Sequence, residues 1–168
     1  MNKIRLTIVL SVTPLLFIYG AAQAASTVIG SVVSDVKIDR ASQEQSGLLN
    51  RQLLNVGSVK DSTVIGSVDT KVDVKRIDQK QSGLLNKQEA NIGSVVNSTV
   101  IGSVKSNVKM GSLSQQQSGL LNRQEANIGS VKDSTVIGSF KTNVEVGRLD
   151  QQQSGLLNQQ EMNIGSIK

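Results

Sequence analysis

Cut at "STVIGS", residues 26–168 fall into four units with no insertion between them. The units span 26–61, 62–97, 98–133 and 134–168; the first three hold 36 residues and the last holds 35. A repeat at fixed period constrains a fold more than any local pattern does. Each unit cannot bury its apolar face alone, so neighbours must stack to form one continuous core. A finer period lies inside. From Ile29 the chain divides into nonamers, four per unit, as in "IGSVKSNVK", "MGSLSQQQS", "GLLNRQEAN" and "IGSVKDSTV". The unbroken register predicts that each nonamer is one rung-like element with its own turn.

The local pattern is extended. Val68, Thr70, Val72 and Val74 alternate with Asp69, Lys71, Asp73 and Lys75. Phe140, Thr142, Val144 and Val146 do the same against Lys141, Asn143 and Glu145. Period-two alternation in β-branched residues is the signal of a half-buried strand. The other arm, "LLNRQEANIGSV", could hold a helical turn. Glycines on either side leave it too short to be a stable helix, and strand is the expectation. Val36, Val72, Val108 and Val144 are the expected inward core column, because their neighbours in sequence are polar.

Stacking the units lines up identical residues. Gln45, Gln81, Gln117 and Gln153 share one column, and Asn50, Asn86, Asn122 and Asn158 another. Asn55, Asn91, Asn127 and Asn163 form a third, and Gln52, Gln88, Gln124 and Gln160 a fourth. Amides at strand spacing, about 4.8 Å, can hydrogen-bond up and down a column. Polar turn residues kept by duplication would give the same repetition. One further column separates the two explanations. It reads Lys37, Asp73, Lys109, Glu145, with alternating sign. Duplication preserves one sign, whereas physical stacking favours opposite neighbours.

The expected fold is therefore all-β: a β-solenoid or stacked β-arch of four 36-residue layers. Each layer should have two arms joined near "SQQQSG" and "KDS". An 18-residue coil, two per unit, is the competing geometry. The first unit is the most apolar, with Leu53-Leu54 where later units have Glu-Ala or Glu-Met.

Residues 1–24 stand outside the repeat. Lys3 and Arg5 precede an apolar run from Leu6 to Tyr19, and Ala22-Gln23-Ala24 follows. This is the pattern of a cleaved secretory signal peptide. The run is shorter than the roughly 20 residues needed to span a bilayer, and Pro14 interrupts it. Cleavage after Ala24 leaves 25–168 as the repeat domain, with no membrane span. Loss of Lys3 and Arg5 lowers the formal net charge from +5 to +3. The remaining charges are spread along the chain, and no block reads as a nucleic-acid patch. The repeat domain has no Cys, and its only aromatic is Phe140. Neither disulfides nor aromatic packing can hold it, so Val, Ile, Leu and hydrogen bonds must.

The chemistry expected of an enzyme is missing. Without His or Cys there is no Ser–His or Cys–His pair and no common zinc site. No glycine loop has the strand-to-helix context that cradles phosphate. Glu89, Glu125 and Glu161 recur once per unit and read as a solvated face rather than as catalytic acids. No catalytic residue, metal or cofactor is assigned. The threonine column Thr27, Thr63, Thr99 and Thr135 lacks an unbroken second column, since Ser34 and Ser106 interrupt Thr70 and Thr142. An ice-binding array is not expected.

"QSGLLN" recurs at 45–50, 81–86, 117–122 and 153–158, in the form Gln-x-Gly-x-x-Asn. It resembles the core of the curlin repeat of bacterial curli subunits, secreted proteins that polymerise into amyloid fibres of the biofilm matrix. Curlin repeats are shorter and carry Ala two residues after the Asn, where this chain has Gln52, Gln88, Gln124 and Gln160. The resemblance implies a curli-like functional amyloid subunit, with a nucleator subunit and a dedicated export machine as partners.

The residues lead to a similar expectation on their own. Solenoids need capping repeats to stay monomeric. The first repeat begins soon after the leader and the last ends at Lys168, so no cap is expected at either end. Pro is absent after position 14, so every residue can join a backbone ladder. The expected function is a secreted subunit at the cell surface or beyond, assembling with itself into fibres for matrix or adhesion. A monomeric or surface-bound solenoid that binds carbohydrate or another surface partner is the alternative, as is a minor or nucleating fibre subunit.

Overall fold

The computed structural model describes residues 5–9, 15–18, 26–49 and 51–168. Two strands precede the repeats, β1 (Arg5–Val9) and β2 (Leu15–Ile18). The first repeat then supplies β3 (Ser26–Ile29), β4 (Val32–Leu48), β5 (Arg51–Val56) and β6 (Val59–Lys60). The second supplies β7 (Ser62–Ile65), β8 (Val68–Leu84), β9 (Lys87–Ile92) and β10 (Val95–Val96). The third supplies β11 (Thr99–Ile101), β12 (Val104–Leu120), β13 (Arg123–Ile128) and β14 (Val131–Lys132). The fourth supplies β15 (Thr135–Ile137), β16 (Phe140–Ser154) and β17 (Gln159–Ile164).

Every strand of the repeats pairs in parallel with its counterpart one repeat away, so Val36 lies beside Val72, Val72 beside Val108 and Val108 beside Val144. The fold is a β-solenoid of four turns with one 36-residue repeat per turn. The coil is 36 residues, not 18. Four parallel sheets result: a long one, a six-residue one and two short ones. Stacking at strand spacing makes the repeat region about 19 Å tall. The chain advances one layer per turn, and backbone bonds tie each layer to the next, as in Val32 N–H to Ser67 O, Val68 N–H to Ser103 O and Val104 N–H to Ser139 O, all at 2.8 Å. Among the described residues, no helix is long and apolar enough to cross a membrane.

Two details of the layer differ from the sequence expectation. The nonamers are not separate elements. Met110-Gly111 opens a nonamer, yet both residues lie inside β12, as "SQQQS" does. The turn at that end falls one step later, at "GLLN", where Gly83, Gly119 and Leu85, Leu121 have positive φ. The layer is also not a two-armed arch. The return arm is broken at Gly57, Gly93 and Gly129, and again at Asp61, Asn97 and Asp133, so each of the first three layers has four strands. Gly93 shows why glycine is required: its φ is +59°, and a Cβ there would come within 2.5 Å of Val108 Cγ2.

The long strand changes phase in its middle. In β8, Val68, Thr70, Val72 and Val74 face inward, Lys75 and Arg76 both face outward, and Ile77, Gln79 and Gln81 face inward again. One residue is inserted in the alternation, at Asp39, Lys75, Gly111 and Gly147, and the pairing keeps the same step on either side of it. The same bulge recurs in every layer, so it shifts all the long strands alike, and across it Lys75 Nζ lies 2.9 Å from Asp39 of the layer before. Without it Asp78 and Lys80 would enter the core and the glutamines would leave it.

The interior has three regions. Valines 59, 64, 68, 95, 100, 104 and 131 fill a small apolar prism where three strands of a layer meet. Next to it lies the main apolar core, with Val36, Ile38, Val56, Val72, Val74, Ile92, Val108, Met110, Leu113 and Ile128. Full burial of one such side chain contributes about 1.5–3 kcal/mol. Large and small residues are exchanged between arms: the first layer has Ala41 with Leu54, whereas the third has Leu113 with Ala126, all in the same core. Past this core, towards the "GLLN" turn, the interior is glutamine.

Candidate functional site

The repeated columns and the edges at which they stop are the features that can act on a partner. The inward phase after the bulge brings three glutamine columns together. Gln81 Nε2 donates to Gln45 Oε1 at 3.3 Å, Gln117 to Gln81 at 2.9 Å and Gln153 to Gln117 at 2.9 Å. A second column, not singled out from the sequence, runs through Gln43, Gln79, Gln115 and Gln151, with bonds of 2.7, 2.8 and 2.6 Å. Gln52, Gln88, Gln124 and Gln160 form the third at 3.0–3.1 Å. The facing arms are joined as well, because Gln88 Nε2 also reaches Gln116 O and Gln117 Nε2 reaches Arg123 O. Buried amides this well satisfied stiffen a core rather than weaken it.

The two asparagine columns behave differently. Asn91 donates to Asn55, Asn127 to Asn91 and Asn163 to Asn127, at 2.8–2.9 Å. In the other column Asn50 lies outside the described residues. Asn86 and Asn122 are buried at the turn, and their side-chain amides have no partner among the described residues. Asn158 Oδ1 accepts the backbone N–H of Asn122 at 3.4 Å. This column is therefore a turn feature and not an amide ladder. The valine column is buried at Val36, Val72 and Val108, and Val144 packs partly buried against it.

Glu89 and Glu125 are only 3% and 4% exposed, contrary to the solvated face expected of them. They project from β9 and β13 away from the main core, into the corner made by the following short strands. Lysines from those strands meet them. Lys60 bonds Glu89. Lys132 Nζ lies 2.7 Å from Glu125 and 3.1 Å from Glu161, and Lys168 Nζ lies 2.9 Å from Glu161. Burial pushes the Glu89 carboxyl up, but the bonds from Lys60 and Asn91 outweigh it and hold it at about 2. Glu161 is also held at about 2, first by Asn163 and Lys168. Burial pulls the Lys132 ammonium down, but Glu125 and Glu161 outweigh it and raise it above its usual range. The sequence does carry a sign of this corner. Leu53 replaces Glu in the first layer and Val96 replaces Lys in the second, so three lysines still face three glutamates.

On the outer face of the long sheet, Lys37 pairs with Asp73 at 3.7 Å and Lys109 with Glu145 at 3.6 Å. At the turn, Leu84-Leu85 and Leu120-Leu121 are exposed, with Leu48-Leu49 and Leu156-Leu157 above and below them. Thr70 and Ser106 face inward, so the second hydroxyl column is internal and Thr63 and Thr99 have no second outer column of threonines. Among the described residues no group of three His, Cys, Asp or Glu is placed to hold a metal ion.

The outermost layers differ. At the first, β1 pairs with β4 and β2 with β5. At the fourth, β16 and β17 are paired on one side only among the described residues. Val144, Val146 and Leu149 there are only partly buried, and Met162 and Ile164 are exposed. The predicted cleavage site, Ala22–Ala24, lies outside the described residues. No family model, curated protein or solved structure matches the chain, so its function must be argued from these columns and edges.

Proposed function

We propose that the chain is an exported structural subunit that self-assembles into extracellular amyloid-like fibres, serving as biofilm matrix or in adhesion. The observation that carries this reading is that identical amide and apolar columns run through all four layers and reach the edge of β16 and β17, which is paired on one side only among the described residues. An open parallel edge is a template for another strand, and one that continues its columns is best completed by a copy of itself. The leader pattern of residues 1–24 supports export, and the "QSGLLN" resemblance supports a curli-like subunit. The principal partner is the chain itself. A nucleator and an export machine are further partners of this reading. It gives no residue a catalytic role.

A second reading rests on a different observation. A groove of about 630 Å³ runs along the stack beside Glu44, Ser46, Lys80, Ser82, Gln116 and Ser118. Its polar, repeated lining suits a carbohydrate, as a surface-bound binding module would need. Purified residues 25–168 separate the two. The fibre reading expects reflections near 4.7 and 10 Å in fibre diffraction. A chain that stays monomeric at high concentration and melts cooperatively would support the binding module instead.

A further inference from the structure

We propose that the two ends of the stack are complementary docking surfaces, and that copies add head to tail. The first layer of one copy continues the fourth layer of another, in the same 36-residue register. This rests on the fibre reading and goes beyond it, because a fibre of stacked copies could be built in either polarity or with slipped layers.

The amide columns give the polarity. In the Gln43 and Gln45 columns each glutamine of the second to fourth layers donates to the layer before it. Such a column ends with a spare donor at one edge and a spare acceptor at the other. The donors are visible: Gln43 Nε2 and Gln45 Nε2 are buried without a partner among the described residues. The matching acceptors are Gln151 and Gln153 of the fourth layer, which donate backwards and have no layer after them among the described residues. Head-to-tail addition joins donor to acceptor in both columns. Two first layers facing each other would set donor against donor.

The outer charges give the register. Continued by one more layer, the column Lys37, Asp73, Lys109, Glu145 places Glu145 beside Lys37 of the next copy, so the alternation passes through the junction unbroken. The column Ser42, Asp78, Ser114, Asp150 likewise sets Asp150 beside the next Ser42 and keeps like charges two layers apart. Two columns bring like charges together there, Arg148 with Arg40 and Lys168 with Lys60; Lys132 and Lys168 are adjacent in the same way within one chain and share Glu161. Arg40 and Arg76 are adjacent in the same way within one chain, and Arg148 already bonds Asp150 at 2.7 Å. A slip by one layer puts Glu145 beside Asp73. The apolar columns also continue, with Val144 on Val36, Met162 on Leu54 and Ile164 on Val56.

The leader occupies this edge without completing it. β1 pairs with residues 40–44 through the backbone and sets Ile8 opposite Gln43 in the register. The fourth layer of a second copy supplies Gln151 at the same place. Removal of the leader opens the edge to the better partner.

The chain has no Cys, so a cysteine pair reads the junction directly. Lys37→Cys and Glu145→Cys are made separately in residues 25–168, at exposed positions where neither change disturbs the core. Neighbouring strand positions are about 4.8 Å apart, within the range of about 4.4–6.8 Å that a disulfide spans. The two variants, one isotopically labelled, are mixed, allowed to form fibres, oxidised and analysed by mass spectrometry. A dominant 37–145 link, with 37–37 and 145–145 links at background, is the expected result. Fibres in which like links dominate, or in which no 37–145 link forms, overturn the junction and leave the fibre reading standing. A 145–73 link in a parallel mixture with Asp73→Cys shows a slipped register and also overturns it. If no fibres form, both readings fall.

Discussion

Lys60 of the first layer bonds the Glu89 carboxylate of the second, and not a residue of its own layer. Its own layer offers Leu53 at the equivalent place, and the second layer offers Val96 where the others have lysine. Two departures from the repeat therefore cancel across a layer boundary. Loss of one partner of a buried pair costs about 3–5 kcal/mol, because the other charge stays buried.

Val96→Lys is thus expected to destabilise the solenoid by several kcal/mol, since a fourth cation enters a corner holding three glutamates. Adding Leu53→Glu supplies the fourth carboxylate, and the double variant is expected to be more stable than the single one. Denaturant unfolding of the four-member cycle measures the coupling. Strictly additive effects would mean that the corner is not one charge network.

The same corner sets an acid limit. Glu89 and Glu161 are held at about 2, below their ordinary value of 4.5. A carboxyl with a lowered folded value stabilises the fold fully above about 4.5, and loses that contribution as pH falls towards 2. Stability is expected to be flat from pH 7 to 5 and to decline from pH 4.5 to 2. Replacing Glu161 by Gln should remove part of that slope. An unfolding free energy independent of pH over this window would contradict the buried pairing.

Most of the layer is legible in the sequence because period and burial coincide. The 36-residue repeat fixes the coil, and the alternation from Val68 to Val74 fixes the inward face up to that point. Beyond it the pattern fails, since strict alternation would place Arg76, Asp78 and Lys80 inside. The adjacent charges Asp39-Arg40 and Lys75-Arg76 are the written sign of the phase change. The burial of Glu89 was less legible. It depends on Lys60, which reaches it from 29 residues away and from another layer, and no local pattern shows that encounter.

The bulge predicts opposite outcomes for neighbouring glutamines. Gln115 accepts from Gln151 and donates to Gln79, whereas Gln116 faces solvent. Gln115→Ala leaves the buried Gln79 amide short of a partner, at about 1–3 kcal/mol, and the half-buried Gln151 amide as well. Gln116→Ala should change stability by less than about 0.5 kcal/mol. Equal effects in thermal melts would place the phase change elsewhere.

The "GLLN" turn carries strain that one substitution should release. Leu121 has φ +56°, and its side chain is exposed. A left-handed backbone costs an ordinary L-residue roughly 1–2 kcal/mol, and Asn or Gly much less. Leu121→Asn is therefore expected to raise the stability of the soluble chain by up to about 1 kcal/mol. A lower melting temperature would show that the leucine makes contacts that outweigh the strain.

Ahead of the bulge, the inward and outward faces can be compared at one step of sequence. Val108 is 1% exposed, between Val72 and Val144 in the main core, whereas the Lys109 side chain is 69% exposed beside Glu145. Lys at 108 puts an unpaired charge among valines, at a cost of several kcal/mol. Ser at 109 removes one solvated pair, worth well under about 1 kcal/mol. If copies stack through this core, Val108→Lys should slow or abolish assembly and Lys109→Ser should leave it nearly unchanged. Assembly followed by light scattering, with both variants at the same concentration, gives the comparison. Normal assembly of Val108→Lys beside failed assembly of Lys109→Ser would reverse the two faces, because a strand slipped by one residue exchanges every side chain between core and solvent.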